Sequence, residues 1–192
     1  MNLEKIKKAK TNFLGKEIIY KETLNSTQDL AKELVKENNC KNGTLVICDS
    51  QTNGKGTKGR SWISENNKNI TMTIIINKDI EISKLDGITL KIAKKIRNSI
   101  KELYNYELTI KEPNDLMLNN KKICGILTET SIISNKVNYI LIGIGFNVNQ
   151  EEFNYDLNNI AISLKKEYKK EFEREEIIVK ILEKLEKLLY KV

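Results

Sequence analysis

A chain of 192 residues that is 40% hydrophobic and 31% charged fits one domain over residues 1–192 and can bury one sizeable core. It contains no histidine, which excludes Ser-His-Asp and Cys-His catalysis and histidine-ligated metals, so its chemistry must run on lysine, carboxylates, backbone dipoles and Mg²⁺. The net charge of +7 rests on dispersed lysines, with arginine only at Arg60, Arg97 and Arg174; bidentate readout of phosphate and guanine favours arginine, so DNA or RNA binding is not expected as the main task.

The apolar runs Ile74–Ile76 and Ile140–Ile144 fall far short of the roughly 20 residues that span a bilayer. The basic N-terminal stretch lacks the apolar segment of a secretory signal, so no membrane association and a cytoplasmic location are expected. Cys40, Cys48 and Cys124 lack the spacing of a thiolate metal site and read as small hydrophobes.

In chain order, the first hydrophobic element is Glu17–Tyr20. Ser26-Thr27-Gln28-Asp29 has the form of a capping box opening a short helix with Leu30, Ala31, Leu34 and Val35 on one face. Thr44–Cys48 reads as a buried strand followed by a glycine-rich loop, and Ile70–Ile76 as a β-branched strand. Apolar residues spaced by three and four predict a helix over Ser83–Leu103. Strands then follow at Glu107–Lys111 and Leu116–Leu118 around a Pro113-Asn114-Asp115 turn. A tight turn at Asn119-Asn120 leads into Lys121–Thr130, and a second turn at Ser134-Asn135 into Val137–Phe146. The last element is a helix near Glu173–Tyr190. Consecutive hairpins with interspersed helices predict an α+β fold: a mixed, largely antiparallel sheet with helices packed on it.

Gly54-Lys55-Gly56-Thr57-Lys58-Gly59 spells GxGxxG directly after a strand. A dinucleotide fold needs that loop to open a helix whose N-terminus holds the pyrophosphate. Arg60-Ser61-Trp62-Ile63-Ser64 and the polar Glu65-Asn66-Asn67-Lys68-Asn69 follow instead, and no βαβ series accompanies them, so that reading fails. Glycines that expose backbone N–H groups among cations still suit phosphate oxygens, although a solvated surface loop is an alternative for the segment alone.

Several segments together resemble the biotin–protein ligases. The family's Ser-Thr-Asn/Gln triplet is matched by Ser26-Thr27-Gln28. Its GRGRxGRxW loop is matched by Gly54–Trp62 (GKGTKGRSW), with the expected Gln51 before it. KWPND appears as Lys111–Asp115 (KEPND). KxxGIL appears as Lys122–Leu127, followed by Glu129. GxGxNxN appears as Gly143–Asn149, and Ile162-Ser163-Leu164 looks like the Ser-Leu segment before the terminal helix. Order and spacing match over roughly residues 18–190.

The resemblance implies a class II synthetase-like catalytic domain that activates biotin with MgATP to biotinyl-5′-AMP and pyrophosphate. The biotin would then pass to a lysine of a biotin carboxyl carrier domain in a biotin-dependent carboxylase or decarboxylase. A carboxylate nucleophile is already ionised at neutral pH and needs no general base, which agrees with the missing histidine; the first step is positioning plus charge neutralisation. Carried over by position, Ser26, Thr27, Gln28 and Gln51 would bind the biotin ring, with Gly54, Lys55 and Gly125 beside it. Lys55, Gly56, Thr57, Gly59 and Arg60 would fold over the adenylate, and Trp62 would pack near the adenine. Lys111 would stabilise charge at the acyl–phosphate linkage. Asn114 and Asp115 would hold Mg²⁺ or orient the incoming lysine, a turn cap being the plain alternative. Lys122 would contact phosphate and Asn147 the adenine, while Gly125, Gly143 and Gly145 would admit ligand to the sheet backbone, strand bulging being the alternative for the last two.

Three positions depart from the family pattern. Thr57 and Lys55 stand where arginines are usual, and Glu112 replaces the tryptophan of KWPND. Neither an N-terminal winged helix nor a small C-terminal β-barrel domain is expected, so a repressor role is not; a homodimer is left open. The rival readings are a lipoate–protein ligase or octanoyl transferase of similar fold, and a non-catalytic biotin- or adenylate-binding module.

Overall fold

The β-branched runs become strands, and the computed structural model, which describes residues 1–78, 80–133 and 136–191, joins them into one seven-stranded sheet among those residues. In chain order the elements are α1 (Leu3–Lys7), β1 (Ile18–Leu24), α2 (Thr27–Lys36), β2 (Leu45–Gln51), β3 (Ile70–Ile76), α3 (Ile88–Tyr104), β4 (Thr109–Lys111), β5 (Asp115–Leu118), β6 (Lys121–Ile133), β7 (Lys136–Phe146), α4 (Leu164–Tyr168) and α5 (Arg174–Leu189). The sheet order is β1-β2-β3-β7-β6-β5-β4. Only β1 and β2 run parallel, with α2 as the crossover that a parallel pair needs. The other neighbouring pairs are antiparallel, so the sheet is mixed and largely antiparallel, as expected.

Period-two alternation divides the sheet into two chemically different faces. On one face Ile70, Met72, Ile74 and Ile76 of β3 join Ile140, Ile142, Ile144 and Phe146 of β7 beneath α1, α3 and α5. Ile92, Ile96 and Ile100 of α3 and Ile177, Ile181 and Leu185 of α5 complete that core. The opposite face carries a smaller cluster, Val46, Ile75, Tyr139 and Leu141, covered by Ala31 and Leu34 of α2. Further along the same face the alternate positions are Thr71, Thr73, Gly143 and Gly145. The apolar cover stops there, and this leaves room for a site.

Two buried carboxylates fasten the helices to this frame. Glu186 of α5 accepts the backbone N–H groups of Asn12, Phe13 and Leu14 at 2.6, 3.3 and 3.1 Å, satisfying a loop that has no sheet partner. Asp49 within β2 accepts from Arg174 Nη1 at 2.9 Å, from the Tyr20 hydroxyl and from the Met1 ammonium at 3.4 Å.

Element boundaries differ from expectation where local backbone chemistry decides. The helix expected from Ser83 begins at Ile88, because Gly87 adopts φ 62° and only a 3₁₀ turn forms over Ile82–Leu85. The first strand runs from Ile18 on to Leu24, carried by pairing with β2 and not by its exposed Lys21, Glu22 and Thr23. The strand expected at Thr44–Cys48 lies at Leu45–Gln51, and that expected at Glu107–Lys111 shortens to Thr109–Lys111. α1 and α4, five residues each, are too short to show a period. The capping box is half formed: Ser26 Oγ accepts from Gln28 N at 3.2 Å, while Asp29 turns away to pair with Lys55. Asn119 and Asn120 make the expected tight turn, with φ of 49° and 61°. The turn expected at Ser134-Asn135 lies outside the described residues. Cys40, Cys48 and Cys124 are free thiols, the last two buried. No helix among the described residues is long and apolar enough to cross a membrane.

Candidate active site

The open part of the second sheet face is lined by the start of α2, where a continuous chain of hydrogen bonds forms. Ser26, Thr27 and Gln28 are 2%, 4% and 3% exposed, so their polar atoms need partners inside the protein. Thr27 N donates to Gln51 Oε1 at 2.8 Å, and Thr27 Oγ1 lies 3.1 Å from the same oxygen. The Thr73 hydroxyl lies 3.0 Å from Thr27 Oγ1 and 3.1 Å from Gln28 Oε1. Gln28 Nε2 donates to Glu129 Oε2 on β6 at 2.8 Å. A Cβ at Gly143 would stand 2.7 Å from Gln28 Oε1, so the bare glycine is what lets this amide lie on the sheet.

The glycine-rich loop is a small closed hairpin. Trp62 N donates to Gly54 O at 2.8 Å and Gly56 N to Arg60 O at 2.7 Å. Its tip is a 3₁₀ turn at Thr57–Gly59 with Lys58 in the left-handed region, and no helix follows it, in keeping with the failed dinucleotide reading. Lys55 Nζ is ion-paired with Asp29 of α2. Arg60 donates to Thr57 O at 3.2 Å and to Thr57 Oγ1 at 2.9 Å, so the threonine hydroxyl holds the neighbouring guanidinium.

Trp62 returns the loop to the sheet. Its indole lies over the paired Gly125 of β6 and Gly145 of β7: a Cβ on Gly125 would be 2.9 Å from the ring, and one on Gly145 would overlap it. The indole Nε1–H is buried without a hydrogen-bond partner. These strands pair in register at Gly143 and Gly145, so the bulges allowed for there are not formed. The three sheet glycines leave the room that Trp62 and Gln28 occupy.

Trp62 separates two cavities. The first, about 40 Å³, is bordered by Ser26, Thr27, Gln28, Gln51 and Lys55, with Thr71 and Thr73 at its floor. Gly125, Gly143 and Gly145 also border it. The second, about 380 Å³, is lined by Arg60, Lys111, Asp115, Lys122 and Asn147. Gly56, Thr57, Trp62 and Lys122 border both. Gly54 backs Gln51 and Trp62, and Gly59, with φ 72°, stands at the loop tip and lines neither cavity.

Three basic residues converge on the second cavity. Lys111 ends β4 opposite Asp115 of β5. Lys122 Nζ is 2.7 Å from Asp115 Oδ1 and 5.6 Å from the centre of the Trp62 ring. Asn114 clamps the turn to β6: its backbone oxygen accepts from Ile126 N at 2.9 Å, and its Nδ2 donates to Ile126 O and to Asp115 Oδ1. Asn114 borders the first cavity. Asn147 Nδ2 donates to Ile162 O at 3.1 Å, while its buried Oδ1 has no partner and is suited to an incoming N–H.

Two groups of lining residues carried no signal in the sequence. Thr71 and Thr73 belong to no motif, and only their alternation with Ile70, Met72 and Ile74 marks them as facing away from the main core. Phe153, Leu157 and Ile160 close the second cavity from the segment after β7, where Lys122 N donates to Ile160 O at 2.8 Å. No group of three potential metal ligands occurs among the described residues. Asp115 offers a carboxylate, already engaged with Lys122, which suits a Mg²⁺ ion delivered on phosphates better than a resident ion held by a protein cage.

Comparison with known proteins relates the chain to a family and to solved folds. The sequence profile of the Biotin/lipoate A/B protein ligase family matches residues 20–147. The chain is 39% identical over 175 residues to the bifunctional ligase/repressor BirA of Bacillus subtilis, covering 90% of this chain and 54% of that protein. It is 28% identical over 190 residues to the human biotin–protein ligase, covering 93% of this chain and 26% of the relative. The chain thus spans about half the length of the first of these and a quarter of the second. Among solved structures, the biotin protein ligase of Aquifex aeolicus in complex with biotin and ATP superposes with a TM-score of 0.76 at 27% identity, covering 92% of this chain and 71% of that one.

Proposed function

The chain belongs to the Biotin/lipoate A/B protein ligase family, and on that footing we propose that it is a biotin–protein ligase acting through a biotinyl-5′-AMP intermediate. The observation that carries this reading is the pair of cavities that meet at Trp62 and Lys122, one walled by hydrogen-bonding side chains and the other by cations.

In this reading the ring of biotin enters the first cavity and its valerate carboxylate points toward Lys122 and the second. A carboxylate oxygen attacks the α-phosphorus of ATP; the new P–O bond forms as the bond to the β-phosphate oxygen breaks, and pyrophosphate leaves. Lys111, Lys122 and Arg60 gather negative charge that spreads over the phosphoryl oxygens, the kind of stabilisation that costs no reorganisation at the moment of reaction. Mg²⁺ on the ATP phosphates would supply further neutralisation, with Asp115 as the carboxylate placed to hold it. Asn147 Oδ1 accepts from the adenine amino group. In the second half-reaction the ε-amine of an acceptor lysine attacks the acyl carbon, AMP leaves, and the attacking nitrogen loses its proton. The acceptor is a biotin carboxyl carrier domain.

At about 40 Å³ the first cavity is far below the several hundred Å³ of a typical ligand pocket, so Trp62 and the loop move when biotin binds. The polar wall disfavours lipoate or octanoate, whose ring or tail offers nothing to Ser26, Thr27 or Gln51. Biotin-dependent exchange of labelled pyrophosphate into ATP tests the reading; a protein that binds biotin without exchange would be a binding module.

A further inference from the structure

The hydrogen-bond chain along the first cavity has a direction, and a residue outside the cavity wall sets it. An ionised carboxylate can only accept, whereas an amide or hydroxyl can face either way. Glu129 on β6 takes the Gln28 amide nitrogen at 2.8 Å. Gln28 must therefore turn its oxygen to Thr73, whose single hydroxyl proton is spent on that oxygen at 3.1 Å. Thr73 is then left to Thr27 as an acceptor, 3.0 Å away. At the other end, the backbone N–H of Thr27 fixes Gln51 Oε1 at 2.8 Å, which turns Gln51 Nε2 toward Gly54.

We infer that Glu129 is a positioning residue that fixes the donor and acceptor pattern of this cavity and so selects a ligand carrying a carbonyl flanked by N–H groups. The inference rests on the biotin reading and deepens it, since a cyclic urea has that pattern. Thr27 Oγ1 gives its proton to Gln51 or Thr73 and keeps lone pairs for a ligand N–H. Ser26 Oγ accepts from Gln28 N and keeps its proton, and Gln51 Nε2 is a donor; both are placed for the ligand carbonyl. Were residue 129 able to donate, Gln28 could reverse, and Thr73 would then give its proton to Thr27 and consume one of its lone pairs. With Thr27, Gln28 and Thr73 at 4%, 3% and 0% exposure, water is not there to repair the mismatch.

The test is calorimetric titration of biotin into the full chain, its Glu129→Gln variant and the Gln28→Glu/Glu129→Gln double variant. Glu129→Gln keeps the shape but removes the constraint, and should weaken biotin binding by about 10- to 100-fold, the scale of a charge-assisted hydrogen bond, while ATP binding is unchanged. The swap restores a carboxylate that accepts from both residue 129 and Thr73, so it should recover biotin affinity to within about threefold of the parent. Binding by Glu129→Gln within about twofold of the parent overturns the inference. So does a swap as weak as the single variant, which would reduce Glu129 to local packing. If circular dichroism shows that Glu129→Gln does not fold, Thr73→Val carries the test: it removes the proton that reads Gln28 Oε1, and unchanged affinity overturns the inference equally. A parent protein that does not bind biotin would overturn the ligase reading itself, and this inference with it.

Discussion

Lys122 and Asp115 form an ion pair of 2.7 Å at the boundary between the two cavities, with the Lys122 ammonium 5.6 Å from the centre of the Trp62 ring. In the proposed reading a phosphate arriving in the second cavity would compete with Asp115 for this cation, and Mg²⁺ arriving with it would provide Asp115 with a replacement. The pair would then be a charge-neutral resting arrangement that MgATP exchanges for two new contacts. Half-saturating Mg²⁺ for pyrophosphate exchange should rise in Asp115→Asn. An unchanged Mg²⁺ dependence would restrict Asp115 to holding Lys122.

Lys111 sits at the exposed end of β4 and lines the second cavity, so its loss removes charge without opening the core. Lys111→Ala should lower the rate of adenylation by roughly 10²-fold or more, the scale of removing a preorganised stabiliser, with thermal unfolding unchanged. Single-turnover formation of the adenylate measures this, and a near-normal rate would remove Lys111 from the chemistry.

Trp62 is the only tryptophan in the chain and lies between the cavities. The movement that the proposed reading requires of it on ligand binding would therefore be visible without a label. Biotin should change the intrinsic fluorescence saturably, and Gly145→Ala, which displaces the indole, should alter the spectrum of the free protein. A spectrum insensitive to bound biotin would mean that the cavity opens elsewhere.

The fold was legible wherever periodicity was long, and the site wherever glycine or charge broke it. The runs Ile70–Ile76 and Val137–Phe146 and the helix near Glu173–Tyr190 identified themselves by spacing. The motifs Ser26–Gln28, Gly54–Trp62 and Lys111–Asp115 and, from the motif Gly143–Asn149, residues Gly143, Gly145 and Asn147, far apart in sequence, converge because the antiparallel order sets β3, β7 and β6 side by side. What the sequence did not disclose depends on pairing across the sheet. Thr73 becomes part of the site only by facing Gln28, and Gly145 makes room for an indole contributed by a residue 83 positions earlier (145 − 62). Thr57, read as a missing cation, proves to have a role of its own in holding Arg60.

That contact bears on retention of the intermediate. Thr57 borders both cavities but carries no charge, so the loop has one fewer cation with which to close over an adenylate. Thr57→Arg should slow release of biotinyl-5′-AMP by roughly 10- to 100-fold, corresponding to a charge-assisted contact of about 1.5–3 kcal/mol. Stopped-flow dissociation decides it; equal rates would show that position 57 does not gate the intermediate.

Asp49 makes a separate prediction about pH. Burial alone would push its carboxyl up, but the hydrogen bond from Tyr20 and the charge of Arg174 outweigh burial and hold it below the usual range. Its contribution to stability is therefore present above the unfolded aspartate value and lost as pH falls through the lower folded value. The same hydrogen bond, with burial, pushes the Tyr20 phenol up to about 12. A raised value stabilises the fold fully below the unfolded tyrosine value of about 10 and is lost as pH rises through the folded value. Ultraviolet titration of Asp49→Asn should show one tyrosine returning toward the ordinary value, and an unchanged titration would break the assignment.

The most direct measurement is exchange of labelled pyrophosphate into ATP by the purified chain, in parallel with biotin, lipoate and octanoate. The cation-lined cavity beside Trp62 and the polar wall of Ser26, Thr27 and Gln51 predict exchange that depends on biotin and is absent with the other two acids. Exchange supported by lipoate or octanoate but not by biotin would contradict the assignment.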